Sequence, residues 1–159
     1  MRRFGFVFAL IFLLDQGVKF WFYRYCEGIE GSVVWESVAL SLVLVFNKGV
    51  AFSFLSFMGV WLKYLQILAL VGVSYLLYRQ REYFLQNRLA FGLIFAGGCS
   101  NILDRFTYGG VVDYIYWHYY FNFAVFNFAD VMIDLGGGLL LYQIFRGYAS
   151  QRAISSAKK

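Results

Sequence analysis

The sequence predicts an integral membrane protein, mainly α-helical, with four transmembrane helices, both termini cytoplasmic, and a small outer-face cap of β and amphipathic structure. Three observations carry that prediction. The 159 residues are 61% hydrophobic and only 14% charged, whereas a soluble domain carries about 25% charged residues, and the mean hydropathy is +0.62. Four apolar stretches, at about 4–25, 59–78, 88–105 and 126–145, approach the roughly 20 residues that cross a hydrocarbon layer about 30 Å thick. Arg2, Arg3, Arg79, Arg81, Arg88, Arg146, Arg152, Lys158 and Lys159 then fall on one side of the bilayer, which marks that side as cytoplasmic.

The first stretch follows Arg2-Arg3 as a signal peptide would, but Asp15, Gln16 and Lys19 interrupt it and no small-x-small site follows, so it reads as a retained helix. The outer segment 26–58 contains SVALSLVLVF, rich in β-branched residues and ended by Asn47-Lys48-Gly49. It reads as a strand or two, being too short and too closely flanked by polar residues for a fifth span. The stretch at 59–78 is long enough to span, whereas that at 88–105 is short, and its Gly97-Gly98 pair predicts close packing against a neighbouring helix. The outer segment 106–125 is aromatic and suits the boundary between water and lipid. Residues 147–159 read as a flexible cytoplasmic tail. The whole chain, 1–159, is one domain.

Composition also excludes. The formal charge of +5 is spread over the flanks of apolar runs and makes no interleaved basic face, so membrane lipids are expected as partners and nucleic acid is not. Cys26 and Cys99 lack C-x-x-C spacing, and no disulfide is expected. His118 is the single histidine, and neither H-E-x-x-H nor G-x-S-x-G occurs. A Ser53 dyad with Lys48 or Lys63 has no spacing in its favour. No metal or cofactor is expected, and the protein is read as a monomer.

Ionisable groups near an apolar layer are costly unless paired or used, which directs attention to the stretch from Gly97 to Asp134. Asn127, Asp130 and Asp134 are spaced by three and four and share a helical face, as do Asn101 and Arg105. The topology brings Asp113 and Asp130 to the same outer interface. Two carboxylates facing each other divide acid and base work, because like charges about 3 Å apart cannot both ionise. Asp134, one turn deeper, rivals Asp130 for the second position, and Asp130 is preferred because it is nearer water. Plainer roles compete: Asp15 pairing with Lys19 at i+4, Asp104 pairing with Arg105 or a lipid headgroup, and Asp113 or Asp130 as a cap or loop-closing acid. Lys48 and Lys63 read as headgroup contacts, and His118 as an interfacial amphipathic residue.

Five ordered motifs sharpen the reading. Asp15-Gln16-x-x-Lys19-x-Trp21, Asn47-x-Gly49-x-Ala51-Phe52, Gly97-Gly98-x-x-Asn101-x-x-Asp104-Arg105, Gly110-Val111-Val112-Asp113 and Phe126-Asn127-x-Ala129-Asp130-x-x-Ile133 resemble those of lipoprotein signal peptidase, the signal peptidase II family, over residues about 15–137. The resemblance implies a four-helix aspartyl endopeptidase of the bacterial inner membrane, working at the outer, periplasmic face. Its substrates would be prolipoproteins, cut before a diacylglyceryl-modified cysteine. It further implies that Asp113 and Asp130 are catalytic, that Asn101, Arg105 and Asn127 hold substrate or orient the acids, and that Asp15, Asn47 and Asp104 support the site. Cys99-Ser100 departs from the small residue and glycine usual before the asparagine. The segment from Tyr114 to Phe126 and the strand near Asn47 are expected to close over a substrate arriving sideways from the bilayer. The competing reading is a small transporter or proton relay using Asp15, Asp104, Asp130 and Asp134, or a lipid-binding scaffold; the outward bias of the acids argues against a relay, which needs carboxylates staggered through the layer.

Overall fold

The computed structural model describes residues 2–49 and 55–157. Ala51, Phe52, Ser53, Lys158 and Lys159, named above, lie outside the described residues. Helix α1 (Arg2–Tyr25) is followed by strands β1 (Val33–Glu36) and β2 (Leu40–Asn47), then by helices α2 (Trp61–Arg79), α3 (Arg81–Gln86) and α4 (Arg88–Thr107), strand β3 (Val111–Trp117) and helix α5 (Phe128–Ala157). Among the described residues, three helices are long and apolar enough to cross a membrane: α1, α2 and the first 21 residues of α5. The fourth expected span corresponds to α4, which has 20 residues and carries Asn101, Asp104 and Arg105 in place of a continuous apolar run.

α4 is the central helix, packed against α1, α2 and α5. Glycines permit the closest of these approaches. A Cβ on Gly97 would stand 2.6 Å from the Ala129 carbonyl oxygen, and one on Gly136 would stand 2.7 Å from that of Ala90. Each helix thus offers a glycine to the other's backbone, as expected where small residues let membrane helices meet. The Gly98 position faces Leu70 of α2, so the Gly97-Gly98 pair serves two neighbours at once.

The strands form an antiparallel sheet in the order β1-β2-β3. β3 is a strand within 106–125, a segment read from the sequence only as an aromatic stretch at the boundary of water and lipid. Its alternation explains the difference: Val112 and Tyr114 point into the core while Asp113 points away, the two-residue period of a strand. That core joins Phe22 and Cys26 of α1 to Leu44, Val112 and Tyr114, with the Phe22 and Tyr114 rings stacked at 4.5 Å. The sheet is thereby seated on the end of α1.

Two further differences concern the other end. The short helix α3 was not anticipated; Phe84 there packs edge-on to Phe4 at 5.3 Å and against Phe91, which fixes the turn into α4. The tail expected to be flexible from residue 147 continues as helix through Ala157. Nothing after Gly147 breaks a helix, since 148–157 contain neither proline nor glycine. Both cysteines are free.

Candidate active site

Asp113 and Asp130 reach one cavity by different routes. Asp113 is placed by the sheet: Val45 pairs with Asp113 across β2 and β3, so Asn47, two residues on and on the same face, is its diagonal neighbour. The Asn47 Nδ2 donates to Asp113 Oδ2 at 3.0 Å, and its Oδ1 accepts from the Gly49 N–H at 2.9 Å.

Asp130 is placed by the start of α5, where the first N–H groups of a helix need outside acceptors. Here each finds one. Phe128 N–H donates to the Tyr114 hydroxyl at 3.1 Å, Ala129 N–H to Asp15 Oδ1 at 2.9 Å, and Asp130 N–H to Asn127 Oδ1 at 2.9 Å. The Asp130 carboxylate returns the favour, its Oδ2 accepting from the Asn127 N–H at 3.1 Å. This is a capping box with Asn and Asp in the two places. The cap role considered for Asp130 is therefore real, and it fixes the carboxylate rather than replacing a chemical role.

Two asparagines join the acids. Asn127 Nδ2 donates to Asp113 Oδ1 at 2.6 Å and to Asn101 Oδ1 at 3.3 Å, while Asn101 Nδ2 donates to Asp130 Oδ1 at 2.8 Å. Arg105 donates through Nη1 to the Asn101 carbonyl at 3.2 Å and through Nη2 to that of Gly49, leaving Nε buried without a partner. Asn47, Asn101, Arg105, Asp113, Asp130 and Asp134 all line a cavity of about 290 Å³, closed on one side by Phe123, Ala124, Val125 and Phe126. Burial, and next the charge of Asp130, raise the Asp113 carboxyl from its ordinary range to about 7. At neutral pH such a pair holds a proton alongside a negative charge, the condition for general acid and general base work in one place.

Behind the cavity lies a second polar cluster, in which Asp15, Lys19, Ser100 and Asp104 are fully buried. Lys19 Nζ sits 2.7 Å from Asp15 Oδ2, 2.7 Å from Asp104 Oδ2, and donates to Asn101 Oδ1 at 2.7 Å. The Asp15 pairing is the one foreseen from i,i+4 spacing. Asp104 is corrected: it pairs with Lys19 and Gln16, not with Arg105 or a headgroup. Its position explains this, because Asp104 faces α1 while Arg105 turns toward the cavity. Ser100 completes the cluster, donating to Asp15 Oδ2 at 2.6 Å and accepting from Gln16 Nε2 at 2.7 Å. The departure at Cys99-Ser100 thus puts a hydroxyl where the buried acids need a donor.

Sequence reasoning left Gln16, Lys19 and Ser100 out of the site, and Gln66 of α2, which lines the cavity, went unnoticed. The available signal was polarity inside apolar helices; which polar residues meet was not available. Asp134 lines the cavity but makes no hydrogen bond or ion pair among the described residues. His118 takes no part, its Nε2 lying 2.8 Å from Ser41 Oγ, and Lys63 Nζ lies over the Phe106 ring at 4.3 Å. Among the described residues no group of three potential ligands could hold a metal ion.

A family model described as signal peptidase (SPase) II matches residues 7–146. The chain is 55% identical over 139 residues to the lipoprotein signal peptidase of Helicobacter pylori, spanning 87% of this chain and 84% of that one. It is 50% identical over 139 residues to the lipoprotein signal peptidase of Wolinella succinogenes, spanning 87% and 90%. A bacterial membrane enzyme structure obtained by the in meso method at 2.3 Å resolution matches with a TM-score of 0.80 at 23% identity, over 94% of this chain and 92% of that one, which shows a shared fold.

Proposed function

The chain belongs to the signal peptidase II family of aspartic peptidases, and we propose that Asp113 and Asp130 are its catalytic pair, acting on prolipoproteins to release their signal peptides before a diacylglyceryl-modified cysteine. The observation that carries this reading is the pair itself: two carboxylates from β3 and α5, bridged by Asn127 and Asn101, facing one cavity.

The chemistry follows from one shared proton. The ionised carboxylate removes a proton from water, whose oxygen attacks the scissile carbonyl carbon. The protonated carboxyl gives its proton to the carbonyl oxygen, so the tetrahedral intermediate is neutral. Collapse breaks the C–N bond as the nitrogen takes a proton from the carboxyl that had accepted it from water, while the other, now ionised, carboxylate takes a hydroxyl proton of the intermediate, which restores the shared proton. The products are a free carboxyl end on the signal peptide and a free amine on the cysteine. Arg105, which lines the cavity and whose Nε has no partner, is placed to supply a donor for a substrate carbonyl. Asn47, Asn101 and Asn127 hold the acids, while Asp15 and Asp104 support the helices that carry them.

We further place all four long helices across the bacterial inner membrane as a monomer, with both termini in the cytoplasm and the pair at the periplasmic face; the clustered arginines at the α1 start and around α3 support this orientation. The segment from Tyr114 to Phe126 and the strand near Asn47 would then close over a substrate entering from the lipid. A proton relay finds less support, because Asp15 and Asp104 are both held in contact with the one Lys19 ammonium and so form no free chain of acids through the layer.

The test is cleavage of a diacylglyceryl-modified prolipoprotein by the purified full-length chain, beside Asp113→Asn and Asp130→Asn at matched folded amounts. Cleavage before the lipidated cysteine by wild type, lost in both variants, is the expected result. Retained cleavage in either variant removes that residue from the pair.

A further inference from the structure

The cavity beside Asp113 and Asp130 also holds two polar side chains that the catalytic network leaves unused. Gln66, on α2, has its Oε1 buried without a hydrogen-bond partner. Asp134, on α5, is exposed and takes no hydrogen bond or ion pair among the described residues. Both line the cavity of about 290 Å³. Asp134 also lines an adjoining groove of about 550 Å³, whose other walls include Leu135, Gly138 and Leu139. The two spaces share Phe123, Phe126, Asp130 and Asp134, so the groove runs on from the catalytic pair along α5. Gly138 leaves it open, since a Cβ there would meet nothing within 4 Å.

A carboxylate and an amide without partners beside an apolar groove are costly unless something uses them. The substrate's own backbone supplies that use. A peptide bond inside a helix is out of reach of the acids, so the signal peptide must unwind near the cut. In an apolar layer the freed N–H and C=O groups have no water to bond. Asp134 lies one helical turn from Asp130, about 6 Å along the axis, a distance an extended chain covers in about two residues.

We propose that Asp134 and Gln66 form a subsite for the unwound backbone on the signal-peptide side of the scissile bond, Asp134 accepting the amide N–H about two residues before the cut and Gln66 bonding a neighbouring amide. This inference rests on the peptidase reading above. It makes both residues determinants of how the substrate is held, separate from the proton chemistry of the pair.

The experiment is a cycle between enzyme and substrate. The purified full-length chain and its Asp134→Leu variant are each given a diacylglyceryl-modified prolipoprotein and the same substrate with an ester oxygen replacing that N–H. Either change alone lowers kcat/KM about tenfold, chiefly through KM, as loss of a hydrogen bond to a charged group does. Both changes together also cost about tenfold, because each removes the same bond. Losses that multiply to about a hundredfold overturn the assignment. Asp134→Asn, which keeps an acceptor oxygen, recovers part of the KM defect, and failure to do so counts against it equally. Gln66→Leu raises KM as well, and an unchanged KM removes Gln66 from the subsite. If wild type cuts neither substrate the peptidase reading itself fails; if it cuts the amide substrate and the losses multiply, only the subsite does.

Discussion

Asp15 and Asp104 lie close behind Asp113 and Asp130, and all four are buried or nearly so, yet the two pairs are balanced in opposite ways. Asp15 and Asp104 share the ammonium of Lys19 and take donors from Ser100, Gln16 and two backbone N–H groups. Asp113 and Asp130 have no ion-pair partner within reach among the described residues, only asparagine amides and a backbone N–H, and they border a cavity. Burial alone therefore does not distinguish a structural acid from a reactive one. What distinguishes them is whether a cation stands in direct contact, as Lys19 does with both rear acids, or lies beyond ion-pair distance, as Arg105 does from the front pair. The first arrangement fixes α1, α4 and α5 together; the second leaves a carboxyl near neutrality with room for water and a substrate beside it.

The sharpest way to break this contrast is to exchange the consequences. Asp113→Asn is expected to reduce cleavage by about 10²–10⁴-fold, the contribution of a general acid or base, while the thermal midpoint in detergent stays near that of wild type. Lys19→Met is expected to do the reverse first, lowering stability by about 3–5 kcal/mol because two buried carboxylates lose their cation; denaturation in detergent measures it. A Lys19→Met protein as stable as wild type would show that the rear cluster does not hold the bundle.

Next in size is the contact that brings α4 and α5 together. Gly97→Val forces atoms into the Ala129 carbonyl and Ile133, and is expected to cost about 1–3 kcal/mol. It should depress activity as well, since Ala129 belongs to the first turn that aims Asp130.

The proton on Asp113 gives a finer test. With Asp113 held at about 7 in the folded protein against 3.8 ordinarily, its contribution to stability is greatest below about pH 4 and is lost as pH rises through about 7. The midpoint of wild type should fall between pH 5 and pH 8 more steeply than that of Asp113→Asn. Cleavage should fall over the upper part of the same window as the pair loses its shared proton. The smallest expected effect is that of His118→Phe, which removes the bond to Ser41 at the far end of β3; about 0.5–1.5 kcal/mol of stability is at stake, and kcat should not change.

The helices were legible because apolar length and the flanking arginines are properties of a single segment. β2 was legible from its β-branched run, whereas β3 was hidden by its aromatics, which suit a membrane boundary as well as a strand. Pairing with β2 decided between them, and that pairing is not local. α3 was missed for the same reason, its short helix depending on Phe84 meeting Phe4 and Phe91.

By itself the sequence determined a membrane-embedded helical chain with its acids gathered toward one end, since solvation cost depends only on which residues are polar and where along the chain they fall. The motif spacings also singled out Asp113 and Asp130. Only the tertiary structure decided that Lys19 pairs with Asp104 as well as Asp15, that Ser100 serves the buried acids, and that Asn127 both caps α5 and bridges the pair. Those are contacts between side chains up to 85 residues apart, and the directions in which they point are set by helix packing around Gly97 and Gly136 rather than by any local stretch of chain.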